Sequence, residues 1–155
     1  MTIGHHIALG LRAAYLAMHR QTDACLAKHG ATADQFVLLG LLVREDGVTQ
    51  QELVRRASSD ANTVRAMLVL LEKRGLVARI GHPTDRRARS VTLTRRGRQV
   101  HRRLLADTES LRRRLLAAFR PEEAKALVDF LARISEAMAT SPAGRSARKA
   151  KGERR

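Results

Sequence analysis

Aromatic side chains are almost missing: 155 residues hold one tyrosine, three phenylalanines and no tryptophan. Tyr15, Phe36, Phe119 and Phe130 make no platform for unstacked bases, which turns the chain away from single strands and RNA loops. Cysteine is scarcer still. Cys25 stands alone, so no intrachain disulfide and no multi-cysteine metal site can form. The histidines His5, His6, His19, His29, His82 and His101 are too scattered for a metal motif, and no cofactor is expected. No run approaches the roughly eighteen uninterrupted apolar residues of a membrane span. The opening MTIGHHIALG has neither the basic start nor the apolar core of an export signal. Together these point to a cytoplasmic protein with no membrane partner. Paired carboxylates, a nucleophile with its base and cofactor motifs are also missing, so an enzyme is not expected.

Negative charge is the other shortage. The 15 Asp and Glu face 30 Lys and Arg, for a formal charge of +15 with neutral histidines. Self-repulsion opposes compaction, so a surplus of this size points to a polyanionic partner rather than to a structural gain. With membranes and single strands set aside, duplex DNA fits best. The length suits one domain of ordinary size, with or without an appended oligomerisation element.

Helical periodicity dominates what is present. Ile7, Leu11, Tyr15 and Met18 recur at three- or four-residue spacing and Leu26 continues the same side, predicting a helix from Ile7 to His29 that Gly30 stops. Thr32 with Gln35 forms a capping box for a second helix, whose run Phe36, Val37, Leu38, Leu39, Leu41, Leu42, Val43 is apolar nearly all round and predicts burial on several sides. Thr49 with Glu52 in the reciprocal position starts a short third helix. After the polar break Ser58 to Asp60, a fourth helix runs from Ala61 to Arg74 with Val64, Met67, Leu68 and Leu71 inward, closed by Gly75.

The period then changes. Leu76 to Ile80 and Ser90 to Leu93 read as strands joined by GHPTDRRAR, a hairpin with a basic tip. Thr94 caps a helix expected to continue to about Phe119, with Val100, Leu104, Leu111 and Leu115 as a stripe long enough to meet another subunit. Pro121, Glu122 and Glu123 open a final helix with Leu127, Leu131, Ile134 and Met138 as its packing face. From Thr140 the basic tail has no apolar anchor and is expected to be disordered.

Short helix, polar turn, second helix and hairpin together describe a winged helix-turn-helix, whose second helix enters the major groove. With the apolar stripe inward, Asn62, Thr63 and Arg65 are left outward or lateral at the helix start. Arg65 can pair bidentately with guanine, Asn62 can bond adenine or phosphate, and Thr63 offers a hydroxyl and a methyl. Asp60 is repelled by phosphate and suits a helix cap. From Glu72 to Arg103 there are eleven Lys or Arg and two acids, a run that includes Lys73 and Arg74 at the helix end and has the character of an electrostatic footprint. Arg86, Arg87 and Arg89 of the hairpin suit a narrow minor groove. Asp85 beside them either orients an arginine or simply forms the turn.

At these residues the chain resembles the MarR family of bacterial multiple-antibiotic-resistance-type regulators, across roughly Leu9 to Met138. The matching stretches are TADQFVLLGLLVREDGVTQQELVRRA, DANTVRAMLVLLEKRGLVAR and HPTDRRARSVTLTRRGR. The last joins Asp85 and Arg87 of the wing to Leu93, Thr94 and Gly97 at the next helix start. The resemblance implies a mainly α fold with a small β-hairpin wing and terminal dimerisation helices. It implies a homodimer on a pseudo-palindromic double-stranded operator, with Arg87 in the minor groove, Asp85 as its orienting partner and Asn62, Thr63 and Arg65 at base- or phosphate-contacting positions. It divides the chain into a dimerisation region, 1–31 with 100–139, a DNA-binding unit, 32–99, and a tail, 140–155. The chain departs from the family in having Ala66, Val69 and Leu70 where polar or basic residues are frequent; the apolar pair can instead pack toward the wing or a neighbouring helix.

Most members of the family are repressors that release DNA when a small, often phenolic or lipophilic, anion binds or a cysteine is oxidised. By that resemblance Tyr15, Met18, His19, Phe36 and Leu39 line an effector cleft, with His19 or a nearby arginine meeting the anion. The apolar members of this set equally suit ordinary core. Cys25 as an oxidation sensor is an alternative, as is an architectural protein that coats duplex DNA with little sequence preference.

Overall fold

The computed structural model describes residues 2–81 and 89–139. Seven helices and three strands follow the order α1 (Ile3–Leu26), α2 (Ala33–Arg44), β1 (Val48–Thr49), α3 (Gln50–Arg56), α4 (Ala61–Lys73), β2 (Val77–Gly81), β3 (Arg89–Leu93), α5 (Arg95–Asp107), α6 (Glu109–Leu116) and α7 (Pro121–Ala139) among the described residues. They form two compact units, one up to Leu111 and one from Arg112. Helices α1 and α5 send Leu26 and Leu104 into the core of the first unit.

Side-chain caps set most helix starts. Gln35 N–H donates to Thr32 Oγ1 at 3.2 Å while Thr32 N–H donates to Gln35 Oε1 at 3.4 Å, completing the expected capping box of α2. Ala33 N–H donates to Asp23 Oδ1 at 2.7 Å, tying that start to α1. A 3-10 turn, Ala27–His29, ends α1, and Gly30 at φ +60° supplies the left-handed residue that breaks it. The expected capping box at α3 is only half made. Thr49 Oγ1 accepts from Glu52 N–H at 3.2 Å, but the Glu52 carboxylate is held by Arg55 and Arg56.

The core of the first unit gathers Leu26, Leu38, Leu39, Leu42, Leu53, Val64, Leu68, Leu71, Leu76, Val91 and Leu104, none more than 1% exposed. Each such side chain contributes roughly 1.5–3 kcal/mol relative to exposure. The α2 run is less enclosed than its composition predicts: Val37 and Val43 are each 48% exposed, so one face of this helix meets solvent in the single chain.

The hairpin is the larger part of a three-stranded antiparallel sheet of order β1-β3-β2, with Val77 opposite Leu93, Gly81 opposite Arg89 and Val48 opposite Val91. Strand β1, two residues long, was not foreseen. Asp46 holds it in place, its Oδ1 accepting from Gly47 N–H at 3.1 Å and from Leu93 N–H at 2.8 Å.

The Leu93, Thr94, Gly97 motif closes the sheet onto α5. Thr94 Oγ1 accepts from Gly97 N–H at 2.9 Å and donates to Gly75 O at 2.8 Å. A Cβ on Gly97 would lie 2.0 Å from Leu76 O, so no larger residue fits without moving backbone. Helix α5 ends before the predicted Phe119. The Thr108 hydroxyl, buried, donates back to Leu104 O at 3.0 Å, and the helical path is interrupted there before α6 begins. In the second unit, Arg120 N–H donates to Glu123 Oε2 at 2.9 Å at the start of α7, and the Arg133 guanidinium lies 5.7 Å from the Phe130 ring centre.

Candidate nucleic-acid interface

Helices α3 and α4 meet through a polar turn in which Ser58 takes φ +49°. Asp60 then caps α4, accepting from Thr63 N–H at 2.9 Å, and the Thr63 hydroxyl donates to the other carboxylate oxygen at 2.5 Å. Those bonds, the side-chain one first, hold the Asp60 carboxyl below its ordinary value. Asp60 is therefore the cap its charge suggested. Thr63 spends its hydroxyl proton on that cap, leaving its methyl and lone pairs for any other partner.

The two faces of α4 are sharply divided. Val64, Leu68 and Leu71 are fully buried, with Met67 half-buried beside them. Asn62, Thr63, Arg65, Ala66, Val69, Leu70 and Lys73 are exposed. The apolar pair Val69 and Leu70 thus does not pack into the core of its own chain. Because the buried stripe is part of the core and α4 packs against α3 and β2, the outward set has a fixed azimuth, as groove reading requires.

Arg74, grouped by sequence with Lys73, faces elsewhere. Its guanidinium donates to Gly30 O at 2.7 Å and His29 O at 3.0 Å, so it joins the end of α4 to the turn that ends α1. Two other cations of the basic run are also engaged: Arg79 bonds Glu72 at 2.9 Å and Arg98 bonds Asp46 at 3.1 Å. Lys73, Arg89, Arg95, Arg96, Arg102 and Arg103 remain exposed, as does Arg65. On α3, Arg55 and then Arg56 hold the Glu52 carboxyl down to about 2; Arg56 also reaches Glu45 at 2.6 Å.

Arg89 begins strand β3, opposite Gly81 at the end of β2. Asp85, Arg86 and Arg87 lie outside the described residues, as does the tail 140–155.

The residues suggested for an effector cleft differ in exposure. Leu39 is core, 1% exposed. Phe36 stacks on His101 with ring centres 5.4 Å apart, and burial pushes the His101 imidazole below its ordinary value. Tyr15 and Met18 are exposed on α1, with the Tyr15 ring 5.5 Å from that of His19. His19 itself lies 3.2 Å from an Asp23 oxygen and 3.4 Å from an Asp34 oxygen, so two carboxylates already meet any charge it carries.

Cys25 is half-buried and its thiol donates to Asp107 O at 3.1 Å. The Asp107 carboxylate is bound by His29 and, at 3.0 Å, by Lys28; both partners, His29 first, hold its carboxyl below the ordinary value. Sequence reasoning missed this tie between the ends of α1 and α5, along with the bonds of Asp46 to Leu93 and Arg98, because each joins residues far apart in the chain; the Glu72 to Arg79 bond, seven residues apart, crosses the turn from α4 to β2. One surface feature was readable from spacing. Gln99, Arg102, Arg103 and Ala106 fall on one stripe of α5 and line a shallow basic concavity. Among the described residues no group of three or more His, Cys, Asp or Glu side chains could hold a metal, and no helix is long and apolar enough to cross a membrane.

The sequence model of the MarR family matches residues 29–88. The HTH-type transcriptional regulator YdgJ of Bacillus subtilis is 32% identical over 112 residues, 72% of this chain and 66% of that protein, just under two thirds of its length. The HTH-type transcriptional repressor Rv2887 of Mycobacterium tuberculosis is 34% identical over 97 residues, 63% of this chain and 70% of the relative. Among solved structures, the transcriptional repressor CouR bound to a 23-mer DNA duplex superposes with a TM-score of 0.75 at 30% identity, covering 86% of this chain and 92% of that one. The PcaV regulator of Streptomyces coelicolor in complex with its natural ligand superposes at 0.72 with 26% identity, covering 88% and 94%.

Proposed function

The chain belongs to the MarR family of winged helix-turn-helix transcription regulators, and we propose that it acts as a homodimeric repressor of a pseudo-palindromic operator, released by a small effector. The observation that carries this reading is the division of α4, whose inner stripe is locked in the core while Asn62 and Arg65 stand exposed at its start. Arg65 pairs with guanine in the major groove and Asn62 bonds adenine or a phosphate. Lys73 and Arg89 neutralise phosphates, and Arg86 and Arg87 of the wing enter the minor groove beside Asp85. Arg74 keeps α4 seated rather than touching DNA. The wing roles come from the family resemblance, and the relatives CouR, bound to duplex, and Rv2887, a repressor, support the direction of regulation.

Dimerisation follows from apolar side chains that the single chain leaves in water. On α1, Ile3, Ile7 and Leu9 are each at least 50% exposed, and on α7, Val128, Phe130 and Met138 are more so than the core could tolerate, at 65%, 53% and 77%. PcaV was solved with its natural ligand, which supports an effector here; Tyr15 and Met18 on α1 are its surface-accessible contacts, while His19 is engaged by Asp23 and Asp34. Such a repressor works in the cytoplasm, where its operator is.

Footprinting on duplex from around the gene of this protein tests the proposal. A protected pseudo-palindrome, released by a phenolic or other small anion, is the expected result. Uniform coating of every fragment, with no protected boundary, would instead make the chain an architectural DNA-binding protein. Release by oxidant alone, lost in C25S, would move the switch to Cys25.

A further inference from the structure

The outward face of α4 has too few hydrogen-bond donors to read its groove by hydrogen bonding alone. Asn62, Ala66, Val69 and Lys73 recur at i, i+4, i+7 and i+11, directly opposite the buried stripe. Of these four, the middle two carry no polar atom. Leu70 flanks them on one side and Arg65 on the other, and Asn62, Arg65, Ala66, Val69 and Leu70 line one shallow concavity. Val69 is 45% and Leu70 52% exposed, although each could have been polar at no cost to the core.

The major groove presents one apolar group at its base edges, the C5 methyl of thymine. The apolar patch lies between two cations, Arg65 toward the start of the helix and Lys73 at its end, so charge complementarity favours a polyanion over a second copy of this basic chain. It is also continuous with the side chains assigned to base contact. Resting on that assignment, we infer that Ala66, Val69 and Leu70 form a methyl-reading patch, which makes thymine a base selected in the same half-site as the guanine read by Arg65. A rise of about 1.5 Å per residue puts Val69 roughly 6 Å along α4 from Arg65, close to two base steps of about 3.4 Å. The methyl therefore belongs about two steps from that guanine in each half-site.

The test uses the full chain and a duplex recovered from it by repeated selection from random sequence. Each thymine is replaced in turn by deoxyuridine, which removes one methyl and leaves every hydrogen bond. Loss of about fourfold in affinity per buried methyl is expected at one or two positions per half-site. In V69A and L70A, which alter exposed side chains and should keep the wild-type melting temperature, the deoxyuridine penalty at those positions should shrink to less than about twofold. Full discrimination against scrambled duplex, with no position sensitive to deoxyuridine, would overturn methyl reading and leave the regulator intact. Failure to discriminate any duplex would overturn both. A fall in particle mass by light scattering in V69A or L70A would assign the patch to a second copy of the chain and overturn the inference as well.

Discussion

Helices α4 and α7 carry apolar stripes of similar period, yet the chain treats them differently. On α4 three apolar side chains are completely buried, whereas α7 has no buried residue along all of Pro121–Ala139. The first helix is positioned by its own chain. The second has its stripe still available, with Leu131 40% and Phe130 53% exposed. On the proposed function, one stripe aims a reading face and the other sets how many reading faces there are. A pseudo-palindrome needs both, since symmetric half-sites are matched by symmetric lobes.

The difference can be broken at either helix. Leu68→Ala, which empties a position with no exposure, should cost about 2–5 kcal/mol in denaturant unfolding and weaken every duplex alike, because α4 loses its seating. Leu131→Ala should leave the secondary structure of the isolated chain unchanged and shift the monomer–dimer equilibrium toward monomer, as read by sedimentation. Equal unfolding losses at the two positions would mean that α7 is core and the contrast is false.

A smaller effect is expected from acid. The Asp60 carboxyl is held below 3.8 by Thr63, so the unfolded chain binds more protons than the folded one between the two values. The stabilisation is complete above the ordinary carboxylate value and is lost as pH falls through the lowered one. Asp60→Asn, which keeps a capping oxygen without the charge, should flatten that part of the pH profile of the melting temperature. An unchanged slope would show that the cap is not what titrates.

Local rules made much of this readable. Thr32 with Gln35, Asp60 and Thr94 cap as their spacing predicts, because a cap is decided within four residues. The inward set of α4 is equally local, a matter of period, and Gly75 at φ +67° closes the helix as expected. What escaped depends on partners remote in sequence. Strand β1 has two residues, too few for an alternating pattern, and exists because Val48 meets Val91. Arg74 looks like one more cation until the carbonyls of His29 and Gly30 are placed beside it. At the break between α5 and α6 the buried Thr108 hydroxyl turns back on Leu104 O, a bond that leaves no mark in the sequence. Leu39 and Phe36 were legible as apolar yet not as core or cleft, since both surroundings use the same residues. The outward face of α4 was the more legible part of the candidate site: Asn62, Arg65 and Lys73 are exposed where the period put them, whereas Tyr15, Met18, His19, Phe36 and Leu39 carry no spacing that separates a cleft from a core.

The central claim is that the outward start of α4 reads bases. Competition binding of wild type and R65A, at one fixed salt concentration, between the footprinted operator and a scrambled duplex of the same composition tests it most directly. The wild type should prefer the operator by orders of magnitude. In R65A that ratio should fall by the equivalent of about 1–3 kcal/mol, with melting temperature and affinity for scrambled duplex nearly unchanged. An operator preference as large in R65A as in the wild type would contradict the account.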